Sequence, residues 1–327
     1  LRSLLQQDYP HFVPVLVTAE ETEPAAELVA RLKQEFPALR HVVAGIATGC
    51  GQKNHNSLQG VAALGDEVDV YAFCDSTHMA EPDFLRHLVA PMARGEASFS
   101  TGYHVVEPRD NQRTTLGYAF CVMLMRYLQA MSAFTQLWGG AMAMTRAAYV
   151  KYAVAQLWVE NVVDDCSLSA LLQVRGAKVQ LCPGALLHTD AINHSQPVWR
   201  AWMDRQVLFL KFCMPGQWKL LGLMCAMMAL PMVCAGLALL GWVISVGSGA
   251  GVLLAIFWLA ALVSALHLWR GLLSKPVPLL GWCWAFVDAV RLFTSVYWQS
   301  LKAWSIEWHG IRYEVGKGGV VLRSERS

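Results

Sequence analysis

The order of hydrophobic and polar positions divides the chain into two parts near residue 190. Before that point short apolar runs alternate with amphipathic stretches, whereas charged residues become rare after Trp218. The apolar runs predict β-strands at 13–17, 42–45, 68–73 and 178–181. The stretches between them predict helices at 24–36, 56–64 and 82–94. This alternation favours a parallel, doubly wound α/β sheet in a domain that spans residues 1–190.

The second part predicts a membrane region. The apolar runs 218–246 and 252–269 are each long enough to cross a hydrocarbon core of about 30 Å. A third run, 279–298, carries Asp288 and Arg291, which are costly in lipid unless they are paired or lie at the interface. We therefore expect two spanning helices and a third segment that either spans or re-enters.

Charge placement indicates how these helices are oriented. If residues 1–190 lie in the cytoplasm, the first span leads outward and the second returns, with Arg270 and Lys275 following the returning span. A third crossing would carry the basic tail, 301–327, to the far side, so we favour an interfacial or re-entrant third segment in the region 218–300. The sequence thus predicts an integral membrane protein of a bacterial inner membrane, with a cytoplasmic N-terminal domain.

The connecting segment, 191–217, has the composition of a helix at the membrane surface. Between Trp199 and Phe212, aromatic side chains alternate with basic ones. One of the basic residues, Arg205, is a candidate to turn inward and bind a phosphate.

Composition and charge narrow the function further. Of the 327 residues, 55% are hydrophobic and only 15% are charged, which is too apolar for a soluble domain of this length. The net charge of +2 implies no strong field for nucleic acid, and we expect no nucleic-acid partner. The nine cysteines form no CxxC pair, so neither a disulfide framework nor a zinc site is expected.

Acidic residues at predicted strand ends are the first candidates for chemistry. Asp75 follows a predicted strand, where an open α/β sheet faces its ligand crevice, and would hold Mg²⁺ or Mn²⁺ against a diphosphate. Alternatively, Asp75 and Ser76 only cap the next helix. Asp164 and Asp165 are adjacent, so that one can cap a helix while the other acts as a general base. The alternative is a simple N-terminal cap.

A turn rich in polar residues is the second candidate. In the stretch 51–56, Lys53 would reach a phosphate or a pyrimidine, and an asparagine would cap the next helix. A solvated loop lysine is the alternative reading of the same pattern.

Together these stretches resemble the family 2 type glycosyltransferases, and specifically the ceramide glucosyltransferase-like branch, family 21. The resemblance covers most of the chain. It rests on segments that follow one another in the order typical of the family: 8–10, 20–24, 51–56, 75–76, 139–140, 164–165, 202–206 and 306–313.

The resemblance implies a GT-A (Rossmann-like) nucleotide-sugar domain followed by a C-terminal transmembrane helical region. It also implies a UDP-sugar donor, a divalent cation and inversion at the anomeric carbon. Asp75 corresponds to the metal-binding acid and Asp165 to the general base, with Asp164 beside it. The remaining correspondences are Glu20, Lys53, Asn56 and Arg205 on the donor side, and Gly139, Gly140 and Trp202 on the acceptor side.

Two departures from the family pattern affect these expectations. Thr77 replaces the second acid of the usual DxD motif, which implies modest metal affinity. The arginine–tryptophan signature survives only as Arg205 within 202–206, which argues against a processive polysaccharide synthase. The family resemblance also implies a first strand and a membrane anchor at the start of the domain. Neither is recognisable in this sequence, and we expect that the sequence is truncated at its N-terminus.

The predicted function is transfer of a single sugar, glucose by default, from a UDP-sugar to a membrane lipid such as ceramide. The first alternative is a glycosyltransferase of polysaccharide or polyprenyl-linked glycan synthesis. The second is a non-catalytic membrane scaffold, against which the presence of Lys53, Asp75 and Asp165 together argues.

Overall fold

The computed structural model describes residues 1–244 and 246–326, so that Ser245, inside the run 218–246, and Ser327, at the end of the tail, lie outside the described residues. The strands are β1 Val15–Thr18, β2 Arg40–Val43, β3 Val70–Cys74, β4 Met79–Ala80, β5 Phe99–Pro108, β6 Ala141–Thr145, β7 Gln180–Ala191, β8 Ser305–Trp308, β9 Ile311–Val315 and β10 Val321–Arg326. The helices are α1 Arg2–Leu5, α2 Pro24–Glu35, α3 Gln52–Leu64, α4 Phe84–Ala93, α5 Arg113–Gln129, α6 Arg146–Lys151, α7 Val154–Trp158, α8 Asp164–Val174, α9 Gln196–Cys213, α10 Pro215–Val243, α11 Gly249–Arg270 and α12 Leu279–Ser300.

The predicted strands and helices of the first part are present, but the sheet is mixed rather than parallel. Its five strands run in the order β3-β6-β5-β7-β4, and only the β5–β7 pair is parallel. The difference arises from β6, which lies between β3 and β5 and is antiparallel to both. Its sequence of alanine and methionine has weak β propensity, so burial on both faces, rather than intrinsic preference, places it in the sheet.

The strands β1 and β2 form a separate parallel pair next to this sheet. The helix α3 contacts both of them, and its own N-terminus points to the same side as the carboxyl end of β3. Between β1 and β3 lies an open cavity, described below, instead of a strand-to-strand ladder.

The helix α5 forms the base of the domain. Leu116 and Cys121 are completely buried, and Phe120 packs against Trp282 of α12. The soft apolar surface of this region suits either an acyl chain or a core helix, and the structure shows a core helix.

Three helices, α10, α11 and α12, are long and apolar enough to cross a membrane by length and composition. In the most apolar stretch of α10, and likewise of α11, only 11% of the residues are buried inside the protein. In the corresponding stretch of α12, 44% are buried. The difference arises because α12 packs against α5 and α9 as well as against α10. Thus α12 connects the sheet domain to the more exposed α10–α11 pair.

The C-terminal segment is folded and docks on the sheet domain. Its strands form a three-stranded antiparallel sheet in the order β10-β9-β8. The N–H of Val162 donates to the carbonyl of Gly319 at 2.9 Å, and the N–H of Val321 donates to the carbonyl of Glu160 at 2.8 Å. Those contacts place the C-terminal sheet directly behind the loop that carries Asp164 and Asp165.

Candidate active site

A large cavity, with a volume of about 1590 Å³, lies at the carboxyl end of β3. The edges of β1 and β3, the start of α3 and the start of α8 all contribute to its walls. In an open α/β sheet this is the place where ligands bind. Most residues predicted to carry the chemistry line it: Lys53, Asn56, Asp75, Gly139, Gly140, Asp164, Asp165, Trp202 and Arg205.

A cluster of charged groups lies in the wall of the cavity. The Lys53 ammonium is 2.9 Å from Asp75 Oδ1 and 3.3 Å from Asp164 Oδ2, and it donates a hydrogen bond of 3.0 Å to the carbonyl of Gly139. Three chain segments that are distant in sequence therefore meet at one side chain. The structure thus brings together Lys53, Asp75, Gly139 and Asp164, as the sequence predicted for a common site.

Gly139 is required at the centre of this cluster by the space available. A Cβ atom at this position would lie 2.7 Å from Lys53 Nζ and 2.8 Å from Asp164 Oδ2, well inside van der Waals contact. A second close approach occurs at Gly51, where a Cβ atom would lie 2.1 Å from the carbonyl oxygen of Val162. Both glycines allow α3 and the acidic loop to lie closer together than any other residue would permit.

The two adjacent aspartates have different surroundings. Asp164 is only 1% exposed, and its Oδ2 has no hydrogen bond with suitable geometry although Lys53 Nζ is 3.3 Å away. Asp165 is half-buried; its Oδ2 accepts the N–H of Gly139 at 2.7 Å and its Oδ1 accepts the N–H of Cys166 at 2.6 Å. These two hydrogen bonds fix the orientation of the Asp165 carboxylate at the cavity.

The pKa values of both Asp165 and Lys53 are raised by their surroundings. Burial raises the pKa of the Asp165 carboxyl to about 6, the Asp164 charge adds to the rise, and Lys53 opposes it. Burial alone would lower the pKa of the Lys53 ammonium, but Asp164, Asp75 and Asp165 outweigh it and raise that pKa well above its usual range. At neutral pH Lys53 is therefore charged, and Asp165 is ionised yet basic enough to accept a proton.

The fit of a divalent cation depends on Asp75. Among residues 1–244 and 246–326 no three His, Cys, Asp or Glu side chains form a ready-made metal site. However, Asp75 lines the cavity with a partly exposed carboxylate, whose Oδ1 is 2.9 Å from the Lys53 ammonium. Because Mg²⁺ is commonly held by one or two carboxylates together with substrate phosphates, the donor set fits a cation that arrives with a diphosphate.

The other residues predicted for the donor side are placed differently. Asn56 lines the cavity, and its Oδ1 accepts a hydrogen bond of 2.8 Å from Gln52 Nε2. Arg205 lines the cavity with no hydrogen bond or ion pair to the described residues, and burial lowers the pKa of its guanidinium. Glu20 is not part of the cavity wall; its carboxylate is 3.7 Å from Arg326 in the C-terminal sheet, and Glu23 lines the cavity instead.

The cavity is also lined by an aromatic cluster of His78, His104 and Trp138, which the sequence did not reveal as a unit. The His104 ring stacks on Trp138 at a centroid distance of 4.7 Å, and His78 lies 4.8 Å from His104. The hydroxyl of Thr189 is 2.7 Å from His78 Nδ1 and 3.0 Å from His104 Nδ1. A hydroxyl can donate to one neutral imidazole and accept from the other, so Thr189 satisfies both.

Both histidines are neutral at pH 7. Burial lowers the pKa of His104 to about 3, with the neighbouring imidazole adding to the effect, and burial also lowers the pKa of His78. His78 lies three residues after Asp75 in the sequence. His188, by contrast, is 3.2 Å from Glu107 Oε1 and does not line the cavity.

Of the residues predicted for the acceptor side, Trp202 packs edge-to-face against Tyr118 with centroids 5.1 Å apart, and the carbonyl of Gly140 accepts the N–H of Asp75 at 3.1 Å. Tyr313 of β9 also lines the cavity, and its hydroxyl accepts the N–H of Gln52 at 3.3 Å. No sequence signal linked the C-terminal segment to the start of α3, because that contact depends on how the last three strands fold.

Comparison with solved structures identifies the fold. A mannosyltransferase from Pyrobaculum calidifontis, PcManGT, solved in complex with GDP-Man and Mn²⁺, matches over 88% of this chain and 81% of its own, at 15% identity and a TM-score of 0.50. GalNAc-T7 with UDP, GalNAc and Mn²⁺ matches over 67% of this chain and 44% of its own, at 11% identity and a TM-score of 0.39. The sheet domain therefore has the GT-A fold of glycosyltransferases, as the sequence predicted.

The family follows from the sequence itself. The model of glycosyl transferase family 21 matches residues 1–321, and the chain belongs to this family. No curated protein matches the chain. The resemblance noted in the sequence is thereby confirmed, and the protein is a sugar transferase of family 21 with apolar helices that indicate membrane association.

Proposed function

We propose that the protein is an inverting transferase that moves a single sugar, glucose by default, from a UDP-sugar to the hydroxyl of a membrane lipid such as ceramide. The observation that carries the proposal is the convergence of Lys53, Asp75, Asp164 and Asp165 around Gly139 in the wall of the large cavity. Membership of family 21 supports the same reaction class.

In the proposed reaction Asp165 accepts the proton of the lipid hydroxyl. The oxygen then attacks the anomeric carbon from the face opposite the diphosphate, and the bond between that carbon and the diphosphate oxygen breaks. The nucleoside diphosphate leaves with the bonding electrons, and the configuration at the anomeric carbon inverts. The raised pKa of Asp165 supports this role, because a general base works best when its pKa lies near the working pH.

Cationic groups on the cavity wall would bind the donor. Lys53 and Arg205 would contact its phosphates, while Asn56 would contribute a polar group at the donor-side wall. Glu20 stays a prediction as a nucleotide contact, although Glu23 is the acidic residue of that loop that reaches the cavity. A bound Mg²⁺ or Mn²⁺ at Asp75 would neutralise charge on the leaving diphosphate.

The acceptor would enter from the side of α9. Trp202, Gly140 and the aromatic ring of Trp138 line this part of the cavity, with Trp138 next to the Gly139 carbonyl that holds Lys53. Aromatic faces and neutral imidazoles suit a weakly polar acceptor better than a charged one.

The placement of the C-terminal sheet supports an interfacial position for α12. Because β8–β10 bind the loop at Glu160 and Val162, they lie on the same side of the membrane as the sheet domain. The number of crossings between domain and tail must then be even. Spanning by α10 and α11, with α12 at the cytoplasmic surface of the membrane, meets this requirement.

The experiment that tests the function uses the full chain purified in detergent. It is incubated with Mn²⁺, labelled UDP-glucose or another labelled UDP-sugar, and a membrane lipid extract, and the products are separated by chromatography. We expect the label to appear in the lipid fraction, in lipids that each carry one added sugar. Label in a water-soluble polymer or in a polyprenyl-linked glycan would contradict lipid glycosylation, and label in no product would favour a non-catalytic scaffold.

A further inference from the structure

A second cavity, of about 280 Å³, lies between α9 and α12 and shares no residue with the large cavity. Its walls are made by six side chains, most of them polar or charged: Gln196, Arg200, Asp288, Arg291, Leu292 and Ser295. The family resemblance assigns no role to these residues, and none of them contacts the Lys53 cluster.

The only acidic side chain in this wall is already neutralised. Arg113 of α5 donates to both carboxylate oxygens of Asp288, at 2.8 and 2.7 Å, and its guanidinium also lies 4.9 Å from the ring centre of Trp284. Arg113 therefore neutralises the Asp288 carboxylate, and Arg291, one turn further along α12, is not its ion-pair partner.

The two remaining arginines leave the cavity with an excess of positive charge. Arg291 is exposed and makes no hydrogen bond or ion pair within the described part of the chain. Arg200 donates to Ser295 Oγ at 3.2 Å and to Gln299 Oε1 at 2.6 Å. Its nearest acid, Asp204, is 3.8 Å from Nε and burial raises the pKa of that carboxyl.

The position of the cavity on α12 indicates what the excess charge would meet. Leu280, Trp284, Arg291 and Trp298 follow one another at helical spacing and are all exposed. Exposed tryptophans that flank an arginine are typical of the level of lipid headgroups. The same helix packs against α10 and α11, the helices suited to cross the membrane.

We propose that the α9–α12 cavity binds the phosphate group of an anionic membrane lipid, at a site separate from the sugar-transfer cavity. Arg200 and Arg291 contribute guanidinium groups, and Gln196 and Ser295 contribute neutral hydrogen-bonding groups, which together match phosphate oxygens. Basic pockets between helices at the membrane surface bind such headgroups. A free phosphate would leave the tryptophans exposed to water, whereas acyl chains of a lipid would cover them.

Native mass spectrometry of the full chain in a neutral detergent tests this proposal. Phosphatidylglycerol and phosphatidylcholine are added in equal amounts, and the adducts retained by each variant are counted. We expect preferential retention of phosphatidylglycerol by the unaltered protein. In Arg291→Gln this preference falls by about tenfold, the loss expected when one charged hydrogen-bonding partner is removed.

The control is Arg31→Gln, which removes the same charge from an exposed arginine on α2 without a described partner. It should retain phosphatidylglycerol as the unaltered protein does. Arg291 makes no contact that the fold needs, so its variant should melt at the unaltered temperature. Equal retention by Arg291→Gln would overturn the site, and so would an equal loss in Arg31→Gln. If inorganic phosphate displaces the lipid from the site, the preference for a lipid phosphate is wrong.

Discussion

Substitution of Gly139 by alanine is the most specific perturbation of the charged cluster, because it changes no charge. The added Cβ would lie 2.7 Å from Lys53 Nζ and 2.8 and 2.9 Å from the Asp164 oxygens. Lysine is the flexible partner and would move first, which would lengthen its contacts with Asp75 and Asp164.

The size of the effect can be worked out from burial. Asp164 is 1% exposed, and Lys53 is the only cation within 4.0 Å of its carboxylate among the described residues. Removal of one partner from a buried ion pair costs about 3–5 kcal/mol. Because the Lys53 side chain is partly exposed and can shift rather than vanish, we expect a loss of about 1–3 kcal/mol, the range of an overpacked core. A displacement of about 1 Å at a reacting centre lowers the rate by about 100-fold.

The assay compares Gly139→Ala with Gly216→Ala in α10, where a Cβ atom would meet nothing within 4 Å. Thermal unfolding in detergent reports stability, and initial rates with labelled UDP-sugar report transfer. We expect Gly139→Ala to lower both and Gly216→Ala to lower neither. Full transfer activity in Gly139→Ala would refute the idea that the position of Lys53 matters for catalysis.

Three further predictions concern other parts of the site. Asp75→Ala should weaken Mn²⁺-dependent UDP binding, measured by calorimetry, and an unchanged metal titration would remove Asp75 from the metal site. Because the pKa of Asp165 is raised from 3.8 to about 6, the transfer rate should decline as pH falls through about 6. The contribution of this carboxyl group to the free energy of unfolding should decrease as pH rises from 3.8 to about 6, because the folded protein holds its proton more tightly than the unfolded chain. A pH–rate profile that is flat through 6 would contradict the assignment of Asp165 as the base. Tyr313→Phe should lower stability by about 1 kcal/mol, seen as a lower melting temperature, because the N–H of Gln52 loses its acceptor; an unaltered melting temperature would show that the contact is dispensable.

The elements of the sheet domain that the sequence predicted are those with a strong local pattern. The run at β3 and the helix α2 combine a clear apolar period with turn residues at their ends. In contrast, β6 was missed because alanine and methionine alternate in it before Thr145, its only β-branched residue, and pairing with the neighbouring strands makes it a strand. The direction of β6 then makes the sheet mixed.

The candidate site was predictable to the extent that its residues end strands or begin helices. Asp75 and Asp164 hold such positions, and Lys53 lies in the first turn of α3. Their convergence on Gly139 depends on two close backbone approaches that no local pattern shows. Contacts between distant segments, such as Tyr313 with Gln52, carry no signal in a single sequence.

In the membrane region, too, local features could be predicted from the sequence and contacts between distant segments could not. The lengths of α10, α11 and α12 follow directly from their apolar composition. The ion-pair partner of Asp288 could not be predicted from local sequence. Arg291 lies three residues away along the chain, but the structure pairs Asp288 with Arg113, which is 175 residues away.

The central claim is that Asp165 activates a lipid hydroxyl towards a UDP-sugar bound at Lys53 and Asp75. The most direct test measures both sugar transfer to lipid and UDP-sugar binding in Asp165→Asn, with the exposed Glu21→Gln as a control that makes the matched change from carboxylate to amide. We predict that Asp165→Asn abolishes transfer and leaves donor binding within about threefold, since Lys53 and Asp75 keep their contacts. Normal transfer by Asp165→Asn would contradict the proposed mechanism.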